Sequence, residues 1–165
     1  MLTMGRVLAV PAIVVLLHFE TPATCLAATA LFILAIVTDF FDGYLARKWN
    51  QVTDLGKLLD PLADKLLVSS CLIMLTGLGW IPAWVVIVIV AREFAITGLR
   101  AIAVEKGIVL AADRFGKMKT ITQTMALIAL IPHFPVLGLD LNPLGMVLLY
   151  AALILTLFSG GNYIY

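Results

Sequence analysis

Residues 27–37, A-A-T-A-L-F-I-L-A-I-V, form an apolar run that ends on T-D-F-F-D-G-Y-L-A-R at 38–47. Runs of this kind recur along the 165 residues, which are 62% hydrophobic with a mean hydropathy of +1.09. A soluble domain is about 45–50% apolar, so the pattern demands a membrane protein. Hydrocarbon offers the backbone no hydrogen bonds, so the spanning elements are helices. Each needs roughly 20 mainly apolar residues. Six candidates meet or approach this: 4–18, 23–47, 56–78, 81–104, 116–134 and 143–163. The breaks carry turn chemistry: Glu20-Thr21-Pro22, Asn50 to Asp54, Gly77-Leu78-Gly79 with Pro82, Lys106-Gly107 and Asn142-Pro143. The expectation is an all-α polytopic bundle of about six transmembrane helices, a single domain over 1–165. Arg6 and the apolar run after it could pass for a cleaved leader. Asp39 and Asp42 follow too soon for that, so the segment reads as a short first span.

Orientation follows from the basic residues. Arg6, Arg47, Lys48, Lys57, Lys65, Arg100, Lys106, Arg114, Lys117 and Lys119 fall near the N-terminus or near two connections, second-to-third and fourth-to-fifth. The alternate connections, around 18–22, 77–82 and 133–143, hold no Lys or Arg. The positive-inside rule puts the N-terminus and the charged connections in the cytoplasm. The net charge of +1 gives no electrostatic case for nucleic acid. Cys25 and Cys71 lie in apolar segments and read as small buried hydrophobes. His18 and His133 fall on the outer side and read as interfacial.

Four aspartates crowd the cytoplasmic ends of the second and third candidates. Asp39 and Asp42 are three apart, and Asp60 and Asp64 four apart, so each pair shares a helix face. The short connection between the two helices makes them antiparallel neighbours, which would let the pairs face each other. Their stripes continue through Gly43 and Ala46 and through Gly56 and Ala63, small residues that allow close approach. Carboxylates alone, with no His among them, suit a hard cation such as Mg²⁺ or Mn²⁺. The plainer alternative is a structural network with Arg47, Lys48, Lys57 and Lys65. It accounts for one aspartate near a helix end better than for four at matched spacing, since ionisable residues at membrane depth are functional by default.

The stretch D-F-F-D-G-Y-L-A-R-K-W-N-Q-V-T-D-L-G-K-L-L-D-P-L-A-D resembles the signature of the CDP-alcohol phosphatidyltransferases, D-x2-D-G-x2-A-R-x8-G-x3-D-x3-D. Asp39, Asp42, Gly43, Ala46, Arg47, Gly56, Asp60 and Asp64 match every fixed position. A-R-E-F-A-I-T-G-L-R at 91–100, F-G-K-M-K-T-I-T-Q at 115–123 and L-T-M-G-R-V-L-A-V-P at 2–11 are similar to the phosphatidylglycerophosphate synthase branch. A short polar lead before Leu2 and a basic tail, both usual there, are not in this sequence; neither touches the signature.

The resemblance implies transfer of the phosphatidyl group from CDP-diacylglycerol to sn-glycerol 3-phosphate, giving phosphatidylglycerophosphate and CMP. It implies Asp39, Asp42, Asp60 and Asp64 as ligands of Mg²⁺ or Mn²⁺, two ions, with Asp64 also the base. It implies a CDP site at Asp39, Gly43, Ala46, Arg47, Thr53 and Gly56. It further implies a homodimer in the bacterial inner membrane, among membrane lipids, with its active site facing the cytoplasm. The dianionic acceptor needs cations of its own. Arg92 and Arg100, eight apart on the fourth helix, share a face, and Arg92 lies about 12 residues into that candidate, too deep for a surface charge. Lys117 and Lys119 open the fifth helix and Arg6 the first; Arg92, Arg100 and Lys117 lead the candidate acceptor-phosphate residues, followed by Lys119, Arg6 and Arg114. Glu93 is the expected partner for one of the arginines, and Lys117 and Lys119 could instead be membrane anchors.

Other acceptors are compatible with the signature: inositol phosphate, serine or phosphatidylglycerol. The basic residues of helices four and five favour a phosphorylated one. A divalent-cation transporter could use the same carboxylates but would need polar residues across the whole bilayer, and the outer half here is nearly all apolar. A non-catalytic helical scaffold leaves the matched aspartate pairs without a role.

Overall fold

The computed structural model describes residues 3–48, 54–105, 114–136 and 138–161, with side chains described for 5–38, 62–99, 102–103, 116–136 and 138–159. Six helices run through them: α1 (Thr3–His18), α2 (Pro22–Lys48), α3 (Asp54–Gly77), α4 (Ala83–Glu105), α5 (Arg114–Leu130) and α6 (Asn142–Gly161). Among the described residues the nearest approach to a strand is an isolated bridge between Val136 and Leu139. All six expected helices are present, displaced by a few residues at their ends.

The ends follow local chemistry. Thr21 and Thr24 cap α2 reciprocally: Thr24 N donates to Thr21 Oγ1 and Thr21 N to Thr24 Oγ1, each at 3.2 Å. Pro22 stands just inside, where its missing N–H leaves no bond unmade. α3 closes on Gly79, whose φ of 75° suits a residue without a Cβ. α5 stops at Leu130 rather than reaching 134, because Pro132 cannot donate the next helical bond. Asp140 Oδ1 accepts from Asn142 N at 3.0 Å and so caps α6.

α1 packs against both α2 and α3, α5 lies along α6, and α4 rests on α6 and α3. This corrects one expectation. Among the described residues α2 and α3 do not meet along their lengths, and α1 lies against both. A short connection holds only the ends of two long helices together. The buried side of α1, with Ala9, Ile13 and Leu17, fills the space the two would otherwise share. Phe32 of α2, Leu67, Cys71 and Leu75 of α3, Val85 and Ile89 of α4, Leu127 of α5 and Leu149 of α6 complete one continuous apolar core.

The outer surface is also apolar: Leu8, Leu34, Ile73, Ile87, Val147 and Phe158 all point outward. Such a surface suits lipid rather than water. Among the described residues α6 alone is long and apolar enough by itself to cross a membrane, over Asn142–Ser159. In α3, α4 and α5, charged residues interrupt the apolar length.

Among the described glycines, Gly145 of α6 makes the closest helix contact. A Cβ there would stand 2.6 Å from Leu130 Cγ and 3.2 Å from the Ala129 Cβ. Small residues at such points let helices associate by direct packing. We predict that Gly145→Ala forces α5 and α6 apart and destabilises the protein by about 1–3 kcal/mol. A thermal melt in detergent reads this as a lower midpoint, and an unchanged midpoint would show that the contact is slack.

Candidate active site

The polar residues gather at the end of the bundle where the charged connections lie. α3 contributes Asp64, Lys65 and Ser69, α4 contributes Arg92, Glu93 and Thr97, α5 contributes Lys119, Thr120 and Gln123, and Ser159 comes from α6. Their spacing explains the grouping. Asp64 with Val68, and Lys65 with Ser69, are i, i+4 pairs on α3, and Gly116, Lys119, Thr120 and Gln123 form an i, i+3, i+4, i+7 stripe on α5.

A chain of polar contacts ties four helices together. Lys65 Nζ donates to Thr97 Oγ1, and Thr97 Oγ1 donates to the Glu93 carbonyl at 2.6 Å. The Glu93 carboxylate pairs with Lys119 Nζ, whose side chain is only 2% exposed. Arg92 Nη2 donates to Ser159 Oγ at 2.6 Å. Glu93 was expected opposite an arginine; the pair formed is with Lys119, because the fifth helix delivers that lysine to the same level.

Between these elements lies a cavity of about 60 Å³ lined by Asp64, Lys65, Val68, Ser69, Glu93, Thr120 and Gln123. Arg6 of α1, 6% exposed, stands close enough to Asp64 to act on its charge, as do Lys65 and Lys119. Arg92 acts in the same way on Lys119. Among the described residues four cations therefore surround two carboxylates, Asp64 and Glu93. That excess of positive charge, sheltered from water, suits a dianionic phosphate.

The structure thus groups four of the sequence-derived residues: Asp64, Arg6, Arg92 and Lys119. Lys117 is exposed and takes no part in the cavity wall. Two positions apart on a helix, it and Lys119 point in different directions. Thr53 lies outside the described residues, as do the side-chain surroundings of Asp39, Asp42, Gly43, Ala46, Arg47, Gly56, Asp60, Arg100 and Arg114. The backbone is helical at 39–48 and 54–64, so Asp39 with Asp42, and Asp60 with Asp64, each share a helix face. Carboxylates as the donor set suit a hard divalent ion. Among the described residues no cluster of three His, Cys, Asp or Glu occurs.

Sequence reasoning passed over Ser69, Thr97, Gln123 and Ser159. One signal could have found Gln123: it stands four residues after Lys119, on the same face, in an otherwise apolar helix. At the opposite end of the bundle, His133 stacks on Trp80 with ring centres 3.8 Å apart, away from the charged cluster.

The sequence model of the CDP-alcohol phosphatidyltransferases matches residues 1–158. A CDP-diacylglycerol–glycerol-3-phosphate 3-phosphatidyltransferase of Bacillus subtilis is 49% identical over 142 residues, which cover 86% of this chain and 74% of the relative. One from Rickettsia bellii is 38% identical over 165 residues, 98% of this chain and 90% of the relative. A probable phosphatidylglycerophosphate synthase of Mycobacterium tuberculosis is 37% identical over 166 residues, 99% of this chain and 78% of the relative.

The Lys119–Glu93 pair generates a prediction of its own. Removing one partner of a buried pair leaves a charge without compensation and costs about 3–5 kcal/mol. Lys119→Met and Glu93→Gln should each lower stability, and the double variant should lose clearly less than the sum. Unfolding of the four proteins in detergent gives the coupling; strictly additive losses would mean the pair does not hold α4 to α5.

Proposed function

The chain belongs to the CDP-alcohol phosphatidyltransferase family, and we infer that it transfers the phosphatidyl group of CDP-diacylglycerol to sn-glycerol 3-phosphate, releasing CMP. It is an enzyme of phospholipid synthesis, and its product is phosphatidylglycerophosphate. The observation that supports the acceptor best is the cavity lined by Asp64 and Lys65, with Arg6 and Lys119 near enough to act on the Asp64 charge.

The chemistry asks little of the protein beyond position and charge. A primary hydroxyl of the acceptor attacks the phosphatidyl phosphorus, the bond from phosphorus to the CMP oxygen breaks, and CMP leaves with that electron pair. The attacking hydroxyl must lose its proton, and Asp64 is the group we assign to take it. Arg6, Lys65, Lys119 and Arg92 hold the acceptor phosphate and fix the hydroxyl beside Asp64. Arg100 extends that basic set along α4, and Lys117 captures the anion from the surface. Asp39, Asp42, Asp60 and Asp64 would hold a divalent ion, Mg²⁺ or Mn²⁺, with room in the donor set for two. Such an ion neutralises charge on the pyrophosphate and the attacking oxygen. Gly43, Ala46, Arg47, Thr53 and Gly56 form the CDP site, where the glycines admit the nucleotide and Arg47 grips phosphate in bidentate fashion.

The six helices act as one domain over 1–165 that spans the bacterial inner membrane, with the N-terminus and the active site in the cytoplasm. The basic residues on one side support that orientation, and the apolar outer surface supports lipid contact on all sides. The protein works as a homodimer. A cation transporter finds no support in the apolar core at the outer end of the bundle.

Purified protein given CDP-diacylglycerol, sn-glycerol 3-phosphate and Mg²⁺ should release CMP. EDTA should stop the release and added Mg²⁺ should restore it. Asp64→Asn should lower kcat by a factor of roughly 100 or more, the scale of a lost general base. Release with inositol phosphate or serine but not with glycerol 3-phosphate would discard the acceptor and keep the family chemistry.

A further inference from the structure

Two buried polar side chains on the cavity wall take no part in the contacts that tie the helices together. Gln123 of α5 is 4% exposed and Ser69 of α3 is 8% exposed, and both line the same space as Asp64. Other hydroxyls within the helices are committed locally. Thr29, Thr76, Thr97 and Thr156 each donate to the carbonyl four residues earlier. Thr120, also on the cavity wall, does the same to Gly116. The Gln123 amide and the Ser69 hydroxyl make no hydrogen bond among the described residues. Both side chains instead open onto the cavity, where a ligand can supply the partner.

We propose that Gln123, assisted by Ser69, is a specificity-determining residue that binds the non-reacting secondary hydroxyl of the acceptor. The inference rests on glycerol 3-phosphate being the acceptor in this cavity. Lys119 and Gln123 are one helical turn apart on the same face of α5, about 5–6 Å. Lys65 lines the same cavity as Gln123 and Asp64, and Lys119 backs it, so an acceptor with its phosphate at this basic end runs its carbon chain past Gln123. The amide offers both a donor and an acceptor to the hydroxyl on the second carbon. With phosphate and middle carbon both held, the terminal primary hydroxyl is the group left to meet Asp64. The size agrees: a water takes about 10–15 Å³ on this scale, so about 60 Å³ holds roughly four to six waters, or a three-carbon polyol. A polar side chain aimed at a hydroxyl also rejects analogues that lack it, since the side chain then stays buried without a partner.

The test compares two acceptors, sn-glycerol 3-phosphate and 3-hydroxypropyl phosphate, which lacks only the secondary hydroxyl. CMP release is followed with the full chain in detergent, CDP-diacylglycerol and Mg²⁺, for the wild type, Gln123→Leu, Gln123→Met and Ser69→Ala. The wild type should favour glycerol 3-phosphate by about tenfold or more in kcat/KM. In the Gln123 variants that ratio should fall to about twofold or less, through a higher KM for glycerol 3-phosphate and little change for the analogue. Ser69→Ala should give an intermediate ratio. Both acceptors are read on the same sample, so any loss of folded protein cancels, and Met keeps nearly the volume of Gln. A wild type that does not discriminate, or variants that keep its ratio, would overturn the role of Gln123 and leave the reaction standing. A wild type that releases no CMP with glycerol 3-phosphate would overturn the acceptor assignment and this inference with it.

Discussion

The pairing of Lys119 with Glu93 is the contact on which the charged end of the bundle depends. An ammonium group this buried has no water to solvate it and must find a carboxylate. Glu93 supplies one from α4, and through the backbone of Glu93 the chain continues to Thr97 and on to Lys65 of α3. Apolar packing cannot choose among the many ways of sliding one lipid-facing helix past another. Directional polar contacts can, because each shifted register strands a donor or an acceptor. The network thus sets the depth at which α3, α4 and α5 meet, and α6 joins it through Ser159 and Arg92.

The same network shapes the chemistry. Basic residues alone would make an open anion trap on the membrane surface. Set against Glu93, they become a sheltered site whose positive excess is small and matched to one phosphate. Asp64, the last carboxylate of the signature, lines the cavity beside Lys65. A donor that is a lipid and an acceptor that is a water-soluble anion can meet only at such a boundary. The apolar core at the opposite end gives neither of them a way through.

Much of this was legible in the sequence because it depends on spacing. Three- and four-residue intervals place aspartates on one face of any helix, whatever surrounds it, and the six apolar runs appear as six helices. What spacing leaves open is which helix stands next to which. Among the described residues α1 lies against both α2 and α3. Glu93 read as the partner of an arginine, and the structure brings it Lys119 from α5 as well. Lys117 read as the stronger of the two lysines at the start of α5, yet Lys117 is exposed and Lys119 buried. Gln123 went unremarked since a lone amide in an apolar helix carries no motif.

By itself the sequence determined the all-helical class, the end of the helices at which charge collects and the family signature from Asp39 to Asp64. Each of these follows from local periodicity or composition, which need no knowledge of the partner helix. Only the tertiary structure decided that Arg6 and Lys119 come near Asp64, that Glu93 holds Lys119, and that Ser69 and Gln123 stand with Asp64 on one cavity wall. Those relations join residues more than a hundred positions apart in sequence, on α1, α3, α4 and α5. They are set by how side-chain volumes interlock and how buried charges are compensated, and neither can be read along a single helix.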